Sequence, residues 1–201
     1  MTAGIDLSRV RPGFADPVRN SQSVFRAIME AVARPGIPMG LEAAPEAPAP
    51  LSPAAGAVAL TLLDFETSVW LSPSVEGGEG RDWLRFHCGC PLVSNPKAAA
   101  FAFIANAAEA LRLSEFNPGD AKYPDRSTTV VFQISDLEGG EPVRLAGPGI
   151  KGERRIAPLG LPEGFWDQVA ENGADFQFGV DVLLVADRSV IGLPRTVRIQ
   201  S

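Results

Sequence analysis

The sequence predicts an α/β protein, with a mixed β-sheet flanked by helices. Segments of helical periodicity are interspersed with short β-branched and aromatic runs along the whole chain. Several of those runs come one after another with no helix between them, which argues against a regular βαβ array. The composition is that of a packed core, with 45% hydrophobic and 21% charged residues. At 201 residues the length suits one well-buried core. Residues 1–201 therefore read as a single domain, with a flexible N-terminal tail over 1–13 and a Pro/Ala-rich surface loop over 41–53.

The first helix is signalled by "DPVRNSQSVFRAIMEAVARPG". Asp16 suits an N-cap, and Pro17 suits the first helical position, where a missing N–H costs nothing. Val18, Phe25, Ile28, Met29 and Val32 fall at helical spacing and predict one apolar stripe. Pro35-Gly36 stops the helix. "LEAAPEAPAPLSPAAG" carries four prolines and reads as loop. "AAGAVALTLLD" predicts a buried helix. Strands are expected in "TSVWLS", "LRFHC" and "AFAFIAN", with a short helix next in "AAEALRLSEF". A strand runs from Ser127 to Ile134. "GEPVRLAG" and "ERRIAPL" read as an antiparallel pair joined by "GPGIKG". "PEGFWDQVAENGA" suits a short helix, "VDVLLVA" a buried strand and "SVIGLPRTVRI" a closing one. No repeat of fixed period is present.

A net charge of −6 and a pI near 4.9 exclude nucleic acid as the main partner. No apolar run approaches the roughly 18–20 residues of a membrane span, and the N-terminus lacks the apolar core of a signal peptide. Two cysteines one residue apart make no disulfide framework. The expectation is a cytoplasmic protein with reduced thiols and no membrane partner.

Four segments hold residues of chemical interest. "FHCGC" gathers the single histidine, His87, with Cys88 and Cys90. A structural zinc needs about four ligands, and strand alternation would turn His87 away from both thiols. Two small apolar residues packing at a strand end is the favoured reading, with metal binding and a Cys–His nucleophile behind it. "GPGIKG" matches G-x-G-x-x-G, yet the adjoining "ERRIAPLG" reads as extended rather than helical, so a hairpin turn is expected. Lys151, Arg154 and Arg155 beside it, together with His87, are candidates for holding a ligand such as a phosphate or for an interface. "YPDRSTTVVFQ" and the Asp64/Glu66 pair read as turns with polar side chains. No catalytic residue, metal site or cofactor site is assigned.

The stretches "SQSVFRAIMEAVARPG", "RFHCGCPLV" and "GVDVLLVADRSVIGLPRT" occur in the order and spacing of a known family, as do "STTVVFQISDLEGGEPVRLAGPGI", "ERRIAPLGLP" and "LPRTVRI". The chain, from about Phe14 to Ile199, resembles the PhnH family, the H subunits of the bacterial carbon–phosphorus lyase core complex. The resemblance implies a fold similar to the pyridoxal-phosphate-dependent transferases, without the cofactor. It implies homodimers in isolation and assembly with the G, I and J subunits. With the L subunit, that assembly supports formation of a ribose 1-alkylphosphonate 5-triphosphate from ATP and an alkylphosphonate. It carries over no catalytic residue. The two cysteines depart from the family's Phe-His-Thr-like pattern. An independent phosphate- or nucleotide-binding enzyme, using the Gly147–Gly152 turn with Arg154 and Arg155, is the alternative.

Overall fold

A computed structural model describes residues 10–174 and 176–200. Helix α1 (Pro17–Ala33) starts as expected: the Asp16 side chain accepts a hydrogen bond from the Arg19 N–H. Its apolar stripe divides in two. Val24, Ile28 and Ala31 face the core, while Val18, Phe25 and Met29 are 67, 47 and 50% exposed. At 100° per residue the five predicted positions span about 100°, but the face turned to the core is centred on Val24, Ile28 and Ala31, so Val18, Phe25 and Met29 fall to one side of it.

The strands β1 (Met39–Gly40), β2 (Val69–Leu71), β3 (Phe101–Ile104), β4 (Thr129–Gln133), β7 (Asp181–Ala186) and β8 (Ser189–Leu193) form one mixed sheet in the order β1-β8-β7-β4-β3-β2. β2, β3, β4 and β7 run parallel, and β8 returns antiparallel to β7. Three further strands, β5 (Val143–Ala146), β6 (Arg154–Ile156) and β9 (Arg198–Gln200), make a separate antiparallel sheet in the order β6-β5-β9. The single closing strand expected over 189–199 is thus two strands in two sheets. Pro194 cannot donate to a ladder, so β8 ends before it, and a turn closed by Val197 N–H on the Pro194 carbonyl redirects the chain.

Helices α1, α2 (Pro53–Leu62) and α4 (Glu79–Cys88) cover one face of the large sheet, against Leu71, Phe103, Val131, Leu183 and Val185. Helix α5 (Phe165–Ala174) and the small sheet cover the other, against Ala102, Ile104, Val130, Phe132, Val182 and Leu184. The alternation along β3, β4 and β7 is that of strands buried on both sides.

Three expectations are corrected. "LRFHC" is not a strand but the end of α4. Glu79 and Asp82 lie in the first turn, Arg85 and His87 in the last, and Gly89 closes the helix at φ +65°. Charges matched to the helix dipole and a left-handed glycine outweigh the short apolar run. Residues 107–116 form two 3₁₀ turns (Ala107–Glu109 and Leu113–Glu115) rather than a helix, because Ala110 and Arg112 are extended. Nor is 41–53 a surface loop throughout. Leu41, Ala44, Ala47 and Leu51 are buried, and the Arg188 guanidinium ties the segment down through the Ala44 carbonyl and Glu46.

Of the N-terminal tail, residues 1–9 lie outside the described residues. Residues 10–13 run against α4, with Val10 packed on the core.

Candidate functional site

The helical frame of α4 places Trp83 and His87 one turn apart, with ring centroids 4.8 Å from each other. Trp83 Nε1 and His87 Nε2 both lie 2.9 Å from the Arg11 carbonyl oxygen. A carbonyl only accepts, so both ring nitrogens donate and His87 carries its proton on Nε2. A Cβ at Gly13 would lie 3.2 Å from the His87 ring. His87 is therefore a clasp for the incoming chain.

Cys88 turns its thiol to the Ala59 carbonyl at 3.7 Å, and Cys90 is buried. Burial and the neighbouring Cys90 push the Cys88 thiol up to about 12. Burial also raises Cys90. Neither is a thiolate near neutrality, so neither is an activated nucleophile. Among the described residues, no three His, Cys, Asp or Glu side chains are grouped to hold a metal ion.

"GPGIKG" is the connection of the β5–β6 hairpin, and it leads into a strand, not a helix. Gly149, at φ +80°, presses on the end of α1, where a Cβ would sit 2.2 Å from the Ala33 carbonyl oxygen. Arg154 does not face a ligand; its Nη1 donates to the Pro35 carbonyl at 2.7 Å. Lys151 and Arg155 are exposed. The four candidate residues are thus not brought together: His87 holds the N-terminal segment, Arg154 holds α1, and Lys151 and Arg155 lie on the small sheet. Asp64 accepts from Glu66 N–H and from the Thr67 hydroxyl, which lowers its carboxyl below the ordinary value; this is a turn.

In open α/β sheets a ligand crevice lies beyond the carboxyl ends of the parallel strands, with helix N-termini supplying free N–H groups. Here those groups are accounted for within the chain. Gln133, at the end of β4, accepts from Ser52 N–H at 2.5 Å and donates to the Pro50 and Ala105 carbonyls at 2.8 and 3.3 Å. At the start of α2, Pro53 has no N–H, Ala54 N–H goes to the Asp187 carbonyl, and Ala55 N–H goes to Ser52 Oγ. Beyond β2, Glu109 accepts from both the N–H and the hydroxyl of Ser74 in α3 (Pro73–Glu76). Burial opposes the charge on Glu109, but the Ser74 and Ser72 hydroxyls outweigh it and hold the carboxyl below its ordinary value. At α2 and α3 the chain's own acceptors thus take N–H groups that a phosphate would use, while a cavity of about 340 Å³ lined by Ser135, Asp136, Glu138 and Asp187 remains beyond β4 and β7.

The sequence pattern does not single out Gln133, Ser52, Ser72 or Glu109. Only Ser52 before Pro53 carries a signal, that of an N-cap next to a proline at N1. Nor does it reveal Arg195, whose guanidinium donates to both oxygens of Asp181, to the Pro124 carbonyl and to Ser127 Oγ. A cavity of about 530 Å³ lies on the α5 side, lined by Leu113, Pro118, Gln168, Asn172 and Phe178. Asn172 pairs with both polar groups of the Val180 backbone, and the Gln168 oxygen accepts from Leu113 N–H.

These features define an α/β protein that turns its polar groups at the expected crevice onto its own backbone. The chain belongs to the PhnH family: the family model described as bacterial phosphonate metabolism protein (PhnH) matches residues 12–200. It is 46% identical over 187 residues to the α-D-ribose 1-methylphosphonate 5-triphosphate synthase subunit PhnH of Rhizobium meliloti (strain 1021), covering 93% of this chain and 94% of that one. It is also 39% identical over 94 residues to the "Putative C-P lyase subunit protein HtxG" of Stutzerimonas stutzeri, covering 46% of this chain and 48% of that one.

Proposed function

We propose that this chain is a subunit of an α-D-ribose 1-methylphosphonate 5-triphosphate synthase, serving the assembly rather than acting alone. The observation that carries this is the 46% identity across 93% of the chain to a protein named as such a subunit. The in-chain use of the N–H groups at α2 and α3 supports an accessory role. In this reading the chain acts as one domain in the cytoplasm, is a homodimer when isolated, and joins the G, I and J subunits and the L subunit. The likeness to pyridoxal-phosphate transferases is one of architecture only: Lys97, Lys122 and Lys151 are all exposed, and a Schiff-base lysine needs a sheltered site. The Gly147–Gly152 turn is not favoured as a nucleotide site, because Arg154 is spent on Pro35.

The test is reconstitution. Tagged chain co-expressed with the other subunits is expected to retain them. Leaving it out is expected to abolish release of adenine from ATP in the presence of methylphosphonate. Failure to co-purify, or full activity from the isolated chain, refutes the reading.

A further inference from the structure

The small sheet presents one face to the core, with Leu145 and Ile156 buried. Its other face is basic. In register, Arg144 lies opposite both Arg155 of β6 and Gln200 of β9, and Arg198 lies opposite Ala146. Directly paired residues share a face, as do residues two apart on one strand. Arg144, Arg155 and Arg198 therefore stand together on three adjacent strands, all exposed. Lys151 extends the charge into the hairpin turn. Glu153 sits among them, its carboxylate 3.8 Å from Arg144.

Arg144, which pairs with Glu153, stands directly opposite Arg155 across β5 and β6. The concentration of cations is also set against a chain of net charge −6. A basic patch on an acidic protein steers encounter with an acidic surface. The patch is held rigidly, since Gly149 and Arg154 fasten the same hairpin to the end of α1.

We propose that this outer face docks an acidic surface of a partner subunit, a proposal that rests on the function argued above. Asp or Glu side chains of the partner meet the exposed cations of this face. The likeness to a named synthase subunit favours a protein over a polyphosphate as the occupant.

The experiment measures binding of the full chain to the assembly of G, I and J subunits prepared without it, at 50 and 200 mM salt. The variants are Arg144→Glu/Arg155→Glu/Arg198→Glu and the charge-preserving triple change to Lys. All three positions are exposed, and a thermal melt of each variant checks folding. Reversal is expected to weaken binding about 100-fold or more, since opposed like charges at an interface cost several kcal/mol. The Lys variant is expected to stay within about tenfold of the original, and the original is expected to weaken at the higher salt. Binding of the reversed variant within threefold of the original overturns this proposal and leaves the synthase reading standing. No binding by the original chain at either salt overturns both. A calorimetric ATP signal on the free chain that the reversal removes overturns the choice of a protein partner.

Discussion

Gln133→Met tests whether the proline loop is held to the end of β4 by one amide. Methionine keeps the length of the side chain and removes its donor and acceptor. In the native chain, the Gln133 amide satisfies Ser52 N–H at 2.5 Å and the Pro50 carbonyl at 2.8 Å, with a weaker bond to Ala105. The residue is 9% exposed, so water does not readily replace it. A buried backbone group left without a partner costs roughly 1–3 kcal/mol. Two such groups, partly relieved by movement of the loop, give a loss of about 3 kcal/mol. For a chain of this size each kcal/mol moves Tm by about 2–4 °C, so a fall of about 6–12 °C is expected. Thermal unfolding by circular dichroism reads the total. Hydrogen exchange locates it: protection should fall at Ser52 and the first turn of α2 and hold in α5. A Tm change below about 2 °C, or exchange that rises evenly across the chain, would refute the assignment of Gln133 as the tie.

Gly192→Ala should be costly for a different reason. The added Cβ would lie 2.5 Å from the Ala31 carbonyl oxygen of α1, an overpacking worth about 1–3 kcal/mol in chemical denaturation. Gly152→Ala, with nothing within 4 Å at φ +73°, should lose only the backbone term of roughly 1–2 kcal/mol. Cys88 should resist iodoacetamide at pH 8 in the native state and react once the chain is unfolded, because burial raises its thiol to about 12. The same shift sets a pH dependence. Below about pH 8.5 both states hold the proton and the contribution is present in full. It is lost as pH rises toward 12, where only the unfolded state has already released the proton. His87→Ala should cost about 1 kcal/mol or less, because Trp83 keeps its own bond to Arg11; faster chymotrypsin cleavage after Phe14 is the readout.

Much of the fold is legible in the sequence because its signals are local. Asp16-Pro17 announces α1, and the β-branched runs at Thr129–Gln133 and Asp181–Ala186 are central strands. The elements that differ from expectation depend on contacts distant in sequence. The end of α4 reads as a strand only when "LRFHC" is taken alone, which leaves out Gly80 and Trp83, the residues that share a helical face with Leu84 at i, i+3 and i+4 spacing. The proline loop looks exposed because nothing in "APEAPAPLS" announces that Gln133, 81 residues beyond Ser52, will bond it. Of the candidate site residues, Arg155 and Lys151 lie on a common exposed surface. His87 and Arg154 are ties to main-chain carbonyls, and spacing alone does not reveal the carbonyl that a side chain will meet.

The end of α1 meets glycine backbone on both sides. Gly192 of the large sheet lies against Ala31, and Gly149 of the small sheet lies against Ala33. Where two side chains touch, a larger residue on one side can be matched by a smaller one on the other. Here the opposing atoms are peptide carbonyls, which every amino acid carries alike. No second mutation in α1 can make room for a side chain at either glycine. This junction between the two sheets is therefore closed to compensatory change, and variation in the protein must accumulate around it.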